Sequence, residues 1–108
     1  MRVWYSVRDL DAGCAFYTEV LGFEETFRDE EDRWVQLCRG DMEIALWEAR
    51  GDEGGVASVN VSDLRAEVER LRGRGVEVGV VVELPGQVRI VDVFDPDGNR
   101  IQLTEEVG

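Results

Sequence analysis

The feature that most constrains this 108-residue chain is an internal repeat. Val7-Arg8-Asp9-Leu10 recurs as Val61-Ser62-Asp63-Leu64, 54 residues later and therefore half a chain length away. In both places the motif ends a run rich in β-branched residues and opens a segment with helical spacing. Self-similarity at this period predicts a chain built from two copies of one supersecondary unit.

Each copy contains a predicted amphipathic helix directly after the repeated motif. In the second copy Leu64, Val68 and Leu71 fall on one side of the helix, and the charged residues around them are expected to face water. The first copy has a wider apolar stripe, which is made of Leu10, Cys14, Phe16, Tyr17, Val20 and Leu21.

Residues that start and stop helices flank both stripes. Asp11 and Asp63 are predicted as N-caps, and Gly22 and Gly75 are predicted to end the helices. One strand precedes each helix, and the first of these begins at the amino terminus, over 1–7. Runs of β-branched and aromatic residues predict three strands after each helix, at Glu24–Asp29, Arg33–Arg39, Met42–Glu48, Glu77–Val82, Val88–Phe94 and Arg100–Thr104.

The predicted fold class is α+β, with two tandem β-α-β-β-β modules in a single domain over residues 1–108. A chain of this length buries one hydrophobic core and is too short for two independent domains. Module one covers residues 1–50, a linker rich in glycine covers 51–55, and module two covers 56–108. Asp95–Asn99, with Pro96 and Gly98 inside it, is predicted to be a tight turn between strands.

Net charge excludes one class of partner. The chain carries 24 Asp and Glu against 12 basic residues, a formal charge of −12, and every basic residue is an arginine. Such a surface cannot easily supply the basic patch that nucleic acid requires, so nucleic acid is not an expected partner. The same field attracts cationic ligands, although solubility alone is an alternative reason for the acidity.

Membrane insertion and export are not expected either. No apolar run approaches the roughly 18 residues that a membrane-spanning helix needs. The amino-terminal residues have the pattern of a strand instead of the long apolar stretch of a secretory signal. A cytoplasmic location is therefore the expectation.

Histidine and lysine are both missing from the chain. Ser-His-Asp and Cys-His nucleophiles need an imidazole, a Schiff base needs a lysine, and a phosphate-binding loop of the Walker type also needs a lysine. Cys14 and Cys38 are too few for a disulfide framework and are predicted to be small buried hydrophobic residues. Carboxylates and tyrosines remain for acid–base chemistry, and Glu43 is the best candidate among them.

At this point the residues resemble the vicinal oxygen chelate superfamily, which includes glyoxalase I, extradiol dioxygenases, and fosfomycin and bleomycin resistance proteins. The resemblance covers essentially the whole chain and lies in Val7–Leu10, in Phe16–Phe23, and in Asp95–Asn99 with the strand after it. Phe27–Trp34 followed by Arg39–Met42 is similar to the bleomycin resistance branch in particular. The resemblance implies that the two modules form a cup-shaped mixed sheet with the helices outside.

Metal-dependent members of that superfamily hold a metal ion with four residues, one from the first and one from the last strand of each module. Carried over by position, the four sites fall on Arg2, Ala45, Val56 and Gln102. Arginine does not lose its proton to bind metal, and alanine and valine have no donor atom. A single amide oxygen does not hold a catalytic divalent ion. The resemblance therefore implies a cup without metal, and no cofactor is expected.

Strand alternation predicts which side chains line this cup, because residues two apart share a face. Starting from Arg2, Ala45, Val56 and Gln102, alternation places all three tryptophans on the concave side. Aromatic walls with a few polar groups suit a planar or cationic ligand. The candidate binding residues are Arg2, Trp4, Trp34, Gln36, Glu43, Trp47, Asn60 and Gln102. The alternative is that the tryptophans fill the core.

The preferred function is a metal-free binding protein that sequesters a small cationic or aromatic compound such as an antibiotic, as bleomycin resistance proteins do. In that case no residue is catalytic. The first alternative is a glyoxalase-like lyase or isomerase that uses Glu43, and the second is an interaction module whose sheets serve only for assembly. A homodimer is expected, because proteins that resemble this one often build their cups between two chains.

Overall fold

The structure, a computed structural model, describes residues 3–49, 56–84 and 86–106. Arg2 and the predicted linker over 51–55 lie outside the described residues. Module one consists of β1 Val3–Val7, α1 Leu10–Ala15, a π-helical segment Phe16–Val20, β2 Glu24–Asp29, β3 Trp34–Arg39 and β4 Met42–Glu48. Module two consists of β5 Ala57–Asn60, α2 Leu64–Gly73, β6 Glu77–Val78, β7 Val82–Leu84, β8 Val88–Phe94 and β9 Arg100–Glu106.

Each module has its own mixed sheet, which confirms the α+β class. The first sheet has the order β1-β4-β3-β2, and the second has the order β5-β9-β8-β6, with β7 also paired to β8. In each, the first strand runs parallel to the last, β1 beside β4 and β5 beside β9, and the other pairs are antiparallel. A helix connects two parallel strands in both modules, as a crossover requires.

Both helices begin at an aspartate, but the first N-cap is not the predicted one. Asp9 caps α1 through its side chain, which accepts a hydrogen bond from the Ala12 amide at 3.0 Å, and Asp63 caps α2 in the same way through Ala66 at 3.1 Å. Asp11 lies inside the first turn and pairs with Arg28 at 3.1 Å. The prediction of Asp11 was wrong because the N-cap residue has extended backbone, which Asp9 adopts.

Helical spacing correctly identified the buried stripe of the first helix. Leu10, Cys14, Tyr17 and Leu21 are all buried, although the helix changes to π-helical hydrogen bonding at Phe16. In α2 the predicted stripe of Leu64, Val68 and Leu71 is buried as well. Gly22 and Gly75 end the helices with φ values of +74° and +80°, a conformation that favours glycine.

Three strand predictions differ from the structure, and the simplest case is β9, which ends at Glu106 and not at the predicted Thr104. Arg33 was expected to begin β3, but its φ of +54° places it in the preceding turn. The single strand expected over 77–82 is two short strands, β6 and β7. Between Val78 and Val82 four residue steps lie opposite only three on β8, which is the mark of a β-bulge.

The two modules are joined by a buried hydrogen-bond network around the predicted turn after β8. Asp95, only 5% exposed, accepts hydrogen bonds from the Tyr17 hydroxyl at 2.8 Å and the Asn99 side-chain amide at 2.8 Å. It also accepts from the backbone amides of Asp97 and Asn99. Asn99 in turn donates to the Ser6 carbonyl at 2.8 Å. The predicted turn is confirmed, and its aspartate connects it to module one.

Candidate functional site

Each sheet has one face covered by the helices and one opposite face, here called the open face. In β1 the residues Val3, Tyr5 and Val7 are buried against the helical side, while Trp4 and Ser6 between them are half-buried. The same alternation places Ile44 and Leu46 of β4 on the buried side. Alternation along the strands therefore assigned the side chains to the correct faces.

Cross-strand pairing gathers most of the predicted site residues of module one on its open face. Trp34 lies opposite Trp47, Gln36 opposite Ala45, and Cys38 opposite Glu43 between β3 and β4. On the other side of β4, Trp4 lies beside Ala45. These registers unite five of the predicted binding residues on one surface: Trp4, Trp34, Gln36, Glu43 and Trp47.

Three aromatic rings form a continuous wall at one end of this open face. The indoles of Trp34 and Trp47 stack with their centroids 5.2 Å apart and their planes at 19°. The ring of Phe27 leans against Trp34 at 5.1 Å and 43°. Phe27 is 50% exposed, so the wall has an accessible end. Phe27, Trp34 and Trp47 are called the aromatic wall below.

Sequence reasoning missed Phe27, because strand alternation was not extended into β2. The pairing of β2 with β3 shifts by one residue between Glu25 and Phe27, and the shift places Phe27 opposite Gln36. A β-bulge of this kind re-aims the side chain that follows it. The signal available in the sequence was the lone aromatic residue in an otherwise polar strand, Glu24–Asp29.

Glu43 lies at the opposite end of the same face from the aromatic wall. Trp47 and Glu43 are four residues apart on β4, which corresponds to about 14 Å along the strand. Ala45, midway between them, is only 1% exposed. The half-buried Trp4 and Gln36, which flank Ala45 across the sheet, therefore form the surface between the wall and the carboxylate.

The predicted site residues of module two form a separate polar group. Ser58 lies opposite Gln102, and Asn60 lies opposite Thr104, between β5 and β9. Ser58 and Thr104 share a hydrogen bond between their hydroxyl oxygens, which are 3.3 Å apart. Among the described residues, no hydrogen bond, ion pair or ring contact joins Asn60 or Gln102 to the aromatic wall.

Asn60 and Ser58 instead face a groove at the junction of the two modules. The groove encloses about 340 Å³ and is lined by Arg39, Gly40, Asp41, Met42, Ser58, Val59 and Asn60. Arg39 crosses this junction, where it donates to the Leu21 carbonyl at 2.6 Å and pairs with Glu67 of α2 at 3.2 Å. The structure thus divides the predicted site into an aromatic surface and a polar groove.

The residues at the four metal positions that the resemblance implies do not fit a metal ion. Ala45 and Val56 have only hydrocarbon side chains, and Arg2 lies outside the described residues. Gln102 lies opposite Ser58 and opposite Asp92, and the Asp92 carboxylate pairs with Arg100 at 3.7 Å. In the described ranges, moreover, no three His, Cys, Asp or Glu side chains group closely enough to hold a metal ion.

The cysteines differ in burial. Cys14 is buried, and its thiol donates to the Glu25 carboxylate at 3.1 Å. Burial, together with the bond to Glu25, raises the pKa of Cys14 to about 11, so the thiol stays protonated and unreactive at neutral pH. Cys38 was predicted to be buried, but it is only partly so, because it lies on the open face opposite Glu43.

No helix in the described part of the chain is long and apolar enough to cross a lipid bilayer.

Comparisons with known proteins agree on one fold. The family model of the Glyoxalase/Bleomycin resistance protein/Dioxygenase superfamily matches residues 2–103. A solved member of that superfamily from Sphaerobacter thermophilus is 28% identical, with a TM-score of 0.82 over 97% of this chain and 94% of that chain. Among proteins with curated functions, none matches this sequence.

Two further solved structures share the fold. TnmS3, an antibiotic binding protein from Streptomyces sp. CB03234, is 26% identical, with a TM-score of 0.77 over 95% of this chain and 93% of that chain. A bleomycin resistance determinant encoded on the transposon Tn5 is 23% identical, with a TM-score of 0.75 over 98% of this chain and 96% of that chain.

Proposed function

Since this chain belongs to the glyoxalase/bleomycin resistance/dioxygenase superfamily, we propose that it is a metal-free protein that binds and sequesters a planar, cationic small molecule. The observation that carries the proposal is the aromatic wall on the open face of module one, where Trp34 and Trp47 stack and Phe27 packs against Trp34. A flat ring that joins this stack gains contact area and aromatic stacking energy.

The surroundings of the aromatic wall favour a positively charged ligand. Glu43 lies on the same face, and the chain as a whole carries a formal charge of −12. Indole faces attract cations, and a carboxylate at the far end of the surface adds a charged partner for a ligand that spans about 14 Å. An antibiotic with a planar ring at one end and an amine at the other satisfies both requirements.

The comparison with TnmS3 supports the binding of an antibiotic. That protein is described as an antibiotic binding protein, and its fold covers nearly all of this chain at 26% identity. A relative that binds its compound favours sequestration over turnover.

Titration with cationic aromatic compounds tests the proposal. We expect a cationic antibiotic that carries a planar ring system, such as bleomycin, to quench tryptophan fluorescence with micromolar affinity, and a neutral analogue with the same ring to bind more weakly. Trp34→Ala is expected to weaken binding at least about tenfold, as for an aromatic anchor at a binding site. The matched control is Ile90→Ala, which truncates the corresponding open-face position of β8 in module two.

Charge is tested separately. Glu43→Gln is expected to weaken binding of the cation and to leave binding of the neutral analogue unchanged. Glu19→Gln, on the exposed side of the π-helical segment, is the control and is expected to leave the affinity for both compounds unchanged. If no cationic aromatic compound binds at micromolar concentration, or if the cation and the neutral analogue bind Glu43→Gln and the native chain alike, the proposal is wrong. Stoichiometric metal in the purified protein contradicts its metal-free part.

The protein is also expected to form a homodimer. Val80, Val82 and Leu84 of module two are 84%, 54% and 46% exposed, an apolar strip that a second chain would shield. Sedimentation velocity measures the mass directly, and a monomer at micromolar concentration contradicts this prediction.

A further inference from the structure

Gln36 lies midway along the open face of module one, between the aromatic wall and Glu43. It is half-buried and follows Trp34 by two residues on β3, which corresponds to about 7 Å along the strand. Across the sheet it lies opposite Phe27 of β2 and opposite Ala45 of β4. A ligand that spans the face from the wall to the carboxylate therefore passes beside the Gln36 side chain.

The side-chain amide of Gln36 has no hydrogen-bond partner among the described residues. The backbone carbonyl of the same residue accepts from the Thr26 hydroxyl at 3.2 Å, but this bond does not involve the side chain. Over the described ranges, every side-chain nitrogen or oxygen that is cut off from solvent has a partner. The unpaired amide of Gln36 is therefore in contact with solvent, and a ligand on the open face can reach it as well.

The cross-strand neighbours of Gln36 cannot hydrogen-bond to it through their side chains. Phe27 and Ala45 carry only hydrocarbon groups, and Ala45 is itself buried. A ligand that covers this position displaces water from the amide. Because an amide that loses its hydrogen bonds to water without replacement is unfavourable, a purely hydrocarbon linker is penalised here and a hydrogen-bonding linker is not.

We propose that Gln36 makes the site selective for ligands that carry an amide, or a similar hydrogen-bonding group, between the ring and the cation, about 7 Å from the ring. The inference rests on the proposed function, because it assigns the middle of a ligand whose two ends that function assigns. The side chain has two N–H donors and one carbonyl acceptor, so it pairs with either the carbonyl or the N–H of such a group. A site of this kind rejects a ligand that leaves its polar group unpaired.

Two probes with chains of equal length test the proposal, N-(5-aminopentyl)-2-(2-naphthyl)acetamide and 8-(2-naphthyl)octan-1-amine. Both carry the same ring and the same amine, and only the first has an amide between them. Isothermal titration calorimetry gives the ratio of their Kd values, alkyl probe over amide probe, for each protein. Because this ratio is compared between proteins, the greater hydrophobicity of the alkyl probe cancels.

Gln36→Met keeps the length of the side chain and removes its donors and its acceptor. We expect this substitution to lower the Kd ratio about fivefold, the effect of one hydrogen bond. Gln87→Met, in the exposed turn before β8, is the matched control and is expected to keep the native ratio. Since the Gln36 amide has no partner in the described part of the chain, Gln36→Met is also expected to keep the native urea midpoint.

A second measurement uses only the native chain. In a heteronuclear NMR titration, the amide probe is expected to shift the side-chain NH2 signals of Gln36 more than the alkyl probe does. Equal shifts with both probes, or one Kd ratio for the native chain and Gln36→Met, would overturn this inference and leave the proposed function standing. If neither probe binds at micromolar concentration, or if Trp34→Ala binds both as the native chain does, the proposed function is wrong and this inference falls with it.

Discussion

The two modules repeat the same local devices but present different open faces. In each, an aspartate caps the helix, a β-bulge interrupts the outer strand, and a glutamate at the end of the last strand accepts a hydrogen bond from the first helical amide. The positions where the copies agree are those that start helices and fix strand register. The positions where they differ project away from the helices.

The aromatic wall shows this difference most clearly. Phe27 lies two residues after Glu25 across the bulge of β2, and Val80 lies two residues after Val78 across the bulge of module two. Phe27 packs on Trp34 and is half exposed, whereas Val80 is 84% exposed. The β-bulge thus places an aromatic ring against Trp34 in module one, whereas the β-bulge of module two leaves a valine exposed. Backbone geometry is repeated, whereas the contacts among Phe27, Trp34 and Trp47 belong to module one.

The largest expected effect concerns the turns that follow β3 and β8, the corresponding hairpin strands of the two modules. Asp95→Ala removes four hydrogen bonds and leaves the buried Tyr17 hydroxyl without its acceptor. In the native chain, burial and the nearby Asp95 carboxylate raise the pKa of Tyr17, so this hydroxyl stays protonated as a donor. We expect a loss of about 2–4 kcal/mol in the free energy of unfolding, measured by urea denaturation. The corresponding turn of module one has the exposed Asp41, and Asp41→Ala is expected to change stability by less than about 0.5 kcal/mol.

If Asp95→Ala does not fold, Tyr17→Phe gives a milder version of the same test. It removes one hydrogen bond of the network and is expected to cost about 1 kcal/mol. Equal stability of the Asp95 and Asp41 variants would show that the network does not join the modules energetically.

The second prediction compares Phe27 with Val80. Phe27→Ala shortens the aromatic wall. We expect it to reduce the binding free energy of a planar cationic ligand by roughly 1–1.5 kcal/mol, or about five- to tenfold in Kd, which is the range for one aromatic contact. Val80→Ala, at the matching position of module two, is expected to leave Kd unchanged. Isothermal titration calorimetry measures both. Equal losses in the two variants would mean that the ligand is not confined to the open face of module one.

The fold was predictable from the sequence because it depends on local patterns, helical spacing and strand alternation, that occur in both modules. Helical spacing identified Leu10, Tyr17 and Leu64 as core, and alternation assigned Trp4 and Trp47 to the open face. The division of the site was not predictable in the same way. Whether Asn60 lies near Trp34 depends on how two sheets pack, and alternation within a strand carries no information about that.

The third prediction tests whether the shared helix caps are equivalent. Asp9→Ala and Asp63→Ala each remove one side-chain bond to a helix amide, of 3.0 and 3.1 Å, and each is expected to cost about 1 kcal/mol in urea denaturation. Asp11→Ala is the control, because Asp11 caps nothing and only joins the exposed pairs of Arg28 and Arg33. A larger loss for Asp11 than for Asp9 would reverse the assignment of the cap.

The smallest expected effect is the difference in stability between variants of the two glutamates at the strand ends. Glu48 accepts from the Leu10 amide at 2.9 Å and pairs with Arg33 at 2.9 Å, while Glu105 accepts from the Leu64 amide at 3.3 Å and shares Arg89 with Glu83. Since its contacts are shorter, Glu48→Gln is expected to lower the urea midpoint at pH 7 more than Glu105→Gln does.

The pH dependence of that difference follows from the charge on Glu48. The hydrogen bond from Arg33, followed by that from the Leu10 amide, lowers the pKa of Glu48 below its usual 4.5. A carboxyl whose pKa is depressed by folding stabilises the native state above the unfolded pKa and loses that contribution as pH falls through the folded pKa. The midpoint difference between the native chain and Glu48→Gln should therefore be constant from pH 7 to about pH 5, and shrink below pH 4.5. A difference that persists unchanged to pH 3 would show that Glu48 acts through its shape and hydrogen bonds, and that its charge contributes nothing.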